Sequence, residues 1–465
     1  MNEDFDNRLT ALLARETSDF KTLAHCEQLS AGASQETYRI TYSDGHREQR
    51  LALRRAQPTA TTGSSVGAID LATEARLFQL ATSGGIPGPH IHYVLSADDG
   101  LGSGFLMQWL EGETLGQRIN RAQELTAIRP HLARQCGEIL GQLHALDVTA
   151  EGLASVLPQV DPAQLVNETW AHYRELNVPV PMIDYTWRWL CDNLPQASRH
   201  CLVHGDFRNG NLMVTPDGIN AVLDWELAHI GDPLRDLGWL CVNSWRFGNR
   251  ELPVGGFGEI DDLLAGYQST SGIEVNRDEL LFWQVFGSFW WAMATLQMAN
   301  AWRTGETPSL ERPVIGRRSS EAQMDCVNLL IPGAFTLPSP DSPLSQGTQL
   351  PMPAELLSGA RDFLKQDVAA ALDPMNAFLA RVAANSIGIA QRELQHSGEL
   401  AGAESDRLRS LLQTEGELDA LRWQLVHQLR AELPLDTPGL AEHLRQTVAG
   451  QLAIDQPRYS ALQVI

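Results

Sequence analysis

The run Cys201-Leu-Val-His-Gly-Asp-Phe-Arg-Asn-Gly-Asn-Leu-Met-Val214 sets a polar, glycine-containing loop between two apolar flanks, and loops of that kind are where chemistry is usually placed. Ala221-Val-Leu-Asp-Trp-Glu226 follows, an apolar strand that ends in Asp224. A hairpin turning at Pro216-Asp-Gly218 returns that carboxylate towards Asn211. Two hard oxygen donors then face one site, as Mg²⁺ requires while it bridges nucleotide phosphates. A separate carboxylate must orient an attacking hydroxyl and accept its proton, and Asp206, five residues before Asn211, has the spacing for this role. The chemistry implied is phosphoryl transfer from ATP, with Asp206 catalytic and Asn211 and Asp224 holding the metal.

Neighbouring polar residues admit other roles. His204 reads as a support that orients the loop through a hydrogen bond, since one base suffices and Asp206 supplies it. His204, Asp206, Glu226, His229, Asp232 and Asp236 would alternatively suit a metallohydrolase cluster, against which the tight kinase-type spacing argues. Asp232-Pro233 and Asp236 read as helix caps. Arg208 and Arg246 read equally as substrate contacts and as surface ion pairs, because an acidic protein that binds an anionic ligand must supply local positive charge. Glu226 is a further candidate for substrate contact or support. Trp187, Trp189, Trp239, Trp245, Trp283, Trp290, Trp291 and Trp302 suggest core and cleft walls, with one or two members available to stack on substrate.

The elements that must position these groups can be traced from the apolar spacing. Leu9 to Ala24 is helix-like, Cys26 to Ile40 and Arg50 to Arg55 alternate as strands around Ser43, Asp44 and Gly45, and Ile69 to Leu80 reads as a helix carrying Glu74. Gly84 to Pro89 is a turn, and Ile91 to Leu95 and Phe105 to Leu110 are further strands. Between the first two strands, Gly32, Ala33, Ser34 and Gln35 form a run of small residues whose backbone N–H groups can approach phosphates, although a plain hairpin tip needs no ligand. From Ala127 onward the pattern is helical except from Cys201 to Trp225. The expected fold class is α+β: a small β-rich N-lobe over 1–110 and a large helical C-lobe over 111–336. A Pro/Ser-rich linker over 337–353 leads to a helical accessory domain over 354–465, with helices across Ala354 to Leu372, Pro374 to Leu394 and Ala403 to Leu433. Phe378, Arg381 and Asn385 share one face there, read as a solvated edge or a partner contact.

His204-Gly-Asp206-x-x-x-x-Asn211 with Leu223-Asp224-Trp-Glu226 resembles the aminoglycoside phosphotransferase and choline kinase superfamily, across most of residues 20–330. The resemblance implies a bilobal protein-kinase-like fold with ATP and Mg²⁺ between the lobes. Arg54, in Leu51-Ala-Leu-Arg54, takes the place of the phosphate-binding residue, Glu74 that of its ion-pair partner, and Gly32 to Gln35 that of the loop over the nucleotide. Many kinases carry Lys where Arg54 stands, and the loop is poor in glycine. Arginine still forks onto phosphate oxygens, ATP against GTP stays open, and Arg55 is a second candidate for the same role. Asp224-Trp-Glu-Leu-Ala-His-Ile-Gly-Asp-Pro-Leu-Arg-Asp-Leu-Gly-Trp239 and Ser244-Trp-Arg-Phe-Gly248 are similar to kinase domains attached to acyl-CoA dehydrogenases and to bacterial 4-hydroxyacyl-CoA kinases of levulinate breakdown. The segment after the linker resembles a small helical protein that accompanies such kinases. The narrower resemblance implies the hydroxyl of a 4-hydroxyacyl-CoA as acceptor, with an acyl-CoA dehydrogenase or a second copy as partner. An aminoglycoside, choline or homoserine-like acceptor is the alternative within the enzyme class, and a nucleotide-binding pseudokinase scaffold the alternative outside it.

Composition bounds these readings. A length of 465 residues calls for two or three domains. The net charge of −22 repels phosphate backbones and anionic lipid surfaces, which disfavours nucleic acid and membrane partners. Six cysteines without a C-x-x-C pair suggest neither a zinc module nor a disulfide scaffold, and the first residues, Met-Asn-Glu-Asp, lack a basic n-region, so a cytoplasmic setting is expected. Leu281 to Trp302 runs without a charge for long enough to cross a bilayer, but Gln284, Ser288, Gln297 and Asn300 within it argue for a buried helix.

Overall fold

A computed structural model of the chain describes residues 3–31, 35–56, 69–149, 152–195, 199–306, 309–339 and 352–462. The first helix, α1 (Glu3–Glu16), ends before Ala24, because Thr22–Ala31 is already strand β1. It pairs with β2 (Gln35–Ser43), which pairs with β3 (Glu48–Ala56); β5 (Gly104–Gln108) and β4 (Ile91–Val94) complete an antiparallel sheet of order β1-β2-β3-β5-β4. Its two faces have different partners. Leu9, Leu12 and Leu13 of α1 pack on Tyr38, Ile40, Leu51 and Leu53, while Phe78 of α2 (Leu71–Ser83) meets Phe105 from the opposite side. Asp70 starts α2, its Oδ1 accepting the Thr73 N–H at 2.7 Å.

Strand parity therefore sorts the two arginines of β3. Leu51, Leu53 and Arg55 share one face, and Arg54 lies on the other with Ala52. Arg55 sits 4.5 Å from the Phe5 ring and pairs with Glu36 at 2.8 Å, so this second candidate for phosphate binding is directed to the α1 face, away from Asp224.

The helical part contains α3 (Gly116–Arg121), α4 (Leu132–Leu143), α5 (Pro162–Glu175), α6 (Pro181–Asp192), α7 (Leu234–Leu240), α8 (Ile260–Ser271), α9 (Arg277–Arg303), α10 (Glu311–Arg317) and α11 (Ser319–Leu330). Two short antiparallel pairs are set into it, β6 (Cys201–Val203) with β9 (His229–Gly231), and the hairpin β7 (Leu212–Thr215) with β8 (Gly218–Val222). Leu281 to Trp302 lies inside α9, whose Gln284, Ser288 and Thr295 are buried with its aromatic residues. Among the described residues no helix is long and apolar enough to cross a membrane.

After residue 352 the helices are α12 (Pro353–Phe363), a π-turn leading into α13 (Ala369–Ala371), α14 (Pro374–Leu412), α15 (Leu418–Arg430) and α16 (Leu440–Asp455), closed by a turn at Ser460–Leu462. Two differences from the sequence reading appear. Pro374 to Leu412 is one continuous helix, running through Gly398 and Gly402, and Leu440–Asp455 forms a further helix beyond Leu433. Both follow from packing: Leu408, Leu425, Leu444 and Val448 share one core with Met182 and Tyr185 of α6 and Met324 and Val327 of α11. Phe378, Arg381 and Asn385 are exposed.

Candidate active site

The catalytic-type loop is held from below by one carboxylate. Asp236, in the first turn of α7, is fully buried and accepts the His204 N–H on Oδ2 (2.7 Å) and the Gly205 N–H on Oδ1 (2.8 Å). His144 backs it at 3.3 Å. Burial works against the Asp236 charge, but His144 and these N–H groups outweigh it and hold its carboxyl below the usual range. This corrects the reading of Asp236 as a helix cap; Asp232 is the one that accepts an N–H of its own turn, from Leu234 at 2.9 Å. No local pattern signals the Asp236 contact, because its partners lie about thirty residues upstream.

Above that anchor, His204 is enclosed. Its Nε2 donates to the Leu223 carbonyl (3.0 Å) and its Nδ1 accepts the Asp206 N–H (3.2 Å), so the ring ties the loop to the end of β8. Burial holds its pKa below the ordinary value. His229 is likewise sunk, its Nε2 2.8 Å from an Arg235 nitrogen, and burial brings it down to about 3. Among the described residues no three His, Cys, Asp or Glu side chains are grouped as metal ligands.

Asp206 faces the cleft with its oxygens in use. Oδ1 accepts Arg208 Nε (2.9 Å) and Trp239 Nε1 (2.7 Å), and Oδ2 accepts Asn211 Nδ2 (2.6 Å). Trp239 was one of eight tryptophans read as core and cleft walls; the fold singles it out. Because the Asn211 amide nitrogen is committed to Asp206, its Oδ1 is left as the donor oxygen. The hairpin turns at Thr215 and Gly218 as its sequence predicts, and the Leu223 N–H donates to the Asn211 carbonyl at 2.8 Å. The next residue, Asp224, has φ +65°, a left-handed conformation that non-glycine residues adopt at a cost.

Asp224 meets the N-lobe there. The Arg54 guanidinium pairs with Asp224 Oδ1 on one side and lies 3.3 Å from Glu74 Oε2 on the other. Burial acts against the Arg54 charge, yet Glu74 and Asp224 leave its pKa raised. Glu74 is 1% exposed; burial pushes its carboxyl up to about 7, with Asp224 and Glu226 adding repulsion and Arg54 opposing. Glu226 is raised for the same reasons, burial first. Gln35 Nε2 donates to Glu226 Oε2 at 3.2 Å, which brings the end of the small-residue loop to the same cleft. Gly32, Ala33 and Ser34 lie outside the described residues.

Arg208 also lies 4.3 Å from the Trp245 ring. Trp239 touches Trp245 and Trp290, and Trp291 touches both of those, so Trp239, Trp245 and Arg208 beside Asp206 are backed by two further indoles. Asn209 locks this side, donating to the carbonyls of Trp245 (3.1 Å) and Gly255 (2.6 Å). Arg246 is turned elsewhere, donating to the Cys241 carbonyl at 2.7 Å.

The family model described as "Phosphotransferase enzyme family" matches residues 25–273. The chain belongs to that family. It is a phosphotransferase of the kinase class. Over 224 residues it is 30% identical to acyl-CoA dehydrogenase family member 10 of Mus musculus, covering 46% of the chain and 20% of that relative. Over 258 residues it is 28% identical to family member 11 of Rattus norvegicus, covering 50% of the chain and 32% of the relative. It thus spans a third or less of the length of these relatives. A solved Ralstonia eutropha protein, described as a candidate aminoglycoside phosphotransferase, shares the fold with a TM-score of 0.56 at 20% identity, over 69% of this chain and 96% of that one. A second model, "Domain of unknown function (DUF6285)", matches residues 370–459 of the phosphotransferase.

Proposed function

We propose that the chain transfers the γ-phosphoryl group of ATP, with Mg²⁺, to the hydroxyl of a hydroxyacyl-CoA, favoured as a 4-hydroxyacyl-CoA. The observation that carries the phosphoryl-transfer part is the Asp206–Asn211 hydrogen bond (2.6 Å) in the helical lobe, beside which Asp224 of the same lobe is bridged by Arg54 to Glu74 of the small lobe. Asp206 orients the acceptor hydroxyl and takes its proton. Asn211 Oδ1 and the Asp224 carboxylate are hard oxygen donors that suit Mg²⁺, which when bound neutralises charge on the phosphates. Arg54 holds phosphate oxygens with its fork, Glu74 positions Arg54, and Gln35 fixes the near end of the covering loop against Glu226.

The acceptor rests on two supports. The similar proteins are named for acyl-CoA dehydrogenases, and the Arg208 guanidinium held against Asp206 repels a polycation while the neighbouring indoles also accept an apolar chain. An aminoglycoside- or choline-type acceptor is the second reading, favoured by the net charge of −22. Incubation of the purified chain with ATP, Mg²⁺ and a 4-hydroxyacyl-CoA, read by mass spectrometry, is expected to give a phosphate adduct that Asp206→Ala lowers by about 10²–10⁴-fold in rate. Folded protein that yields no adduct with the thioester but phosphorylates an aminoglycoside or choline overturns the acyl-CoA acceptor.

A further inference from the structure

The turn Asn243–Trp245 has a different environment on each side. Trp245 carries Arg208 over its ring and so belongs to the Asp206 wall. Val242 and Arg246, which flank it, line a cavity of about 420 Å³, within the usual size range for small-molecule sites. The opposite walls come from Ser288 of α9, from Asp325 and Leu329 of α11, and from Ala461 in the turn after α16. The cavity is therefore walled by the kinase lobe and closed at one point by the turn that follows α16. The segment Trp239 to Arg246 runs from one place to the other: Trp239 Nε1 donates to Asp206 at 2.7 Å, and Arg246 lies in the cavity wall.

Its polar groups are unevenly satisfied. Asp325 accepts Tyr459 Oη–H on Oδ2 (2.8 Å) and Asn243 Nδ2 on Oδ1 (3.0 Å), and burial pushes its carboxyl up to about 7. Ser288 is 1% exposed and its Oγ has no partner. Arg246 donates to the Cys241 carbonyl (2.7 Å) and the Arg250 carbonyl (3.3 Å), while its Nε is buried and unpartnered. Two buried donors thus lack acceptors, a state that costs free energy until an oxygen reaches them. Glu251 and Glu259 stand with Asp325 among the lining residues, against Arg246 and Arg250, so the cavity has no surplus of positive charge to hold a carboxylate or phosphate. A neutral chain that carries carbonyl oxygens between methylenes meets both conditions, with Val242, Leu329 and Ala461 against its apolar parts.

We propose that this cavity is the subsite for the amide-bearing arm of a thioester acceptor, and that the C-terminal helices serve the kinase by completing it through Ala461. The inference rests on the acyl-CoA reading above for the identity of the arm. It is tested with desulfo-coenzyme A, which carries the arm without thiol or acyl group, titrated calorimetrically into the full chain with the nucleotide site saturated by Mg²⁺ and a non-hydrolysable ATP analogue.

Wild-type protein is expected to bind, Ala461→Trp to weaken binding by about tenfold or more as the ring fills the cavity, and Ser288→Ala to weaken it by roughly three- to tenfold through loss of one donor. Affinity for the ATP analogue should stay within about twofold in both. Absence of binding to wild type, or equal binding in wild type and Ala461→Trp, overturns the subsite; should Ala461→Trp fail to fold, Ser288→Ala and Arg246→Met decide in the same way. Binding that these variants weaken, in a protein that phosphorylates no hydroxyacyl-CoA, supports the subsite and removes the acceptor reading. Turnover of a hydroxyacyl-CoA with a KM unchanged by Ala461→Trp does the reverse.

Discussion

One guanidinium, Arg54, stands beside three carboxylates, Glu74, Asp224 and Glu226. A single cation cannot offset three buried or half-buried anions, and Glu74, the deepest, holds its proton up to about pH 7. In an unfolded chain the same carboxyl titrates near its ordinary value of 4.5. The fold thus favours the neutral form: the stabilisation is fully present below that ordinary value and is lost as pH rises through about 7. The melting temperature of Glu74→Gln relative to wild type should therefore climb between about pH 5 and pH 8 in the absence of nucleotide; a difference that stays flat across that range contradicts it. Arg54→Lys keeps the charge but not the fork that reaches Glu74 and Asp224 together. It is expected to raise the KM for ATP about tenfold with a smaller change in kcat, measured by initial rates.

At the level of elements, the loop from His204 to Asn211 is placed by its supports more than by its own sequence. Asp236 takes two of its N–H groups, and Gly205 makes the approach feasible: its φ is +83°, and an added Cβ would lie 2.3 Å from the Leu227 carbonyl oxygen. Both the left-handed backbone and the close approach exclude a side chain there. Gly205→Ala should accordingly destabilise the chain by about 2–4 kcal/mol and lower kcat, as read by urea unfolding and turnover. A loss below about half a kcal/mol would show that the loop shifts freely on α7. The adjacent strand matters in another way. Period-two alternation sends Arg54 and Arg55 to opposite sides of β3, so the phosphate-binding role proposed for Arg54 is not open to Arg55.

Across the whole molecule, the C-terminal helices and the kinase lobe bury one core between them. Met182, Tyr185, Met324 and Val327 lose their cover if the later helices are removed. Asp184 adds an electrostatic dependence, since it is fully buried and Arg430 Nε donates to it at 2.7 Å. Arg430→Ala would leave that carboxylate short of its cation and is expected to cost about 3–5 kcal/mol in denaturant unfolding. A chain ending at residue 350 should melt about 10 °C or more below the full chain, or aggregate. A truncated chain with an unchanged melting temperature would mean that the shared core contributes nothing to the kinase lobe.

Asp206, Asn211 and Asp224 were legible in the amino-acid sequence because their arrangement is local. A short loop and a tight hairpin bring them together whatever surrounds them, and the strands and the helix carrying Glu74 obey equally short-range rules. The sequence by itself therefore determined the candidate site and the bilobal plan. It did not show that Asp236 holds the loop, that Trp239 rather than another indole reaches Asp206, or that Arg246 lines a cavity with Ala461, since each of these contacts joins segments far apart in the chain. Nor did apolar spacing show where Leu440–Asp455 packs: a helical stripe says that one face is buried, not against what. Those pairings were decided by the tertiary structure, where apolar surfaces from distant segments are buried against each other and polar groups inside must find partners.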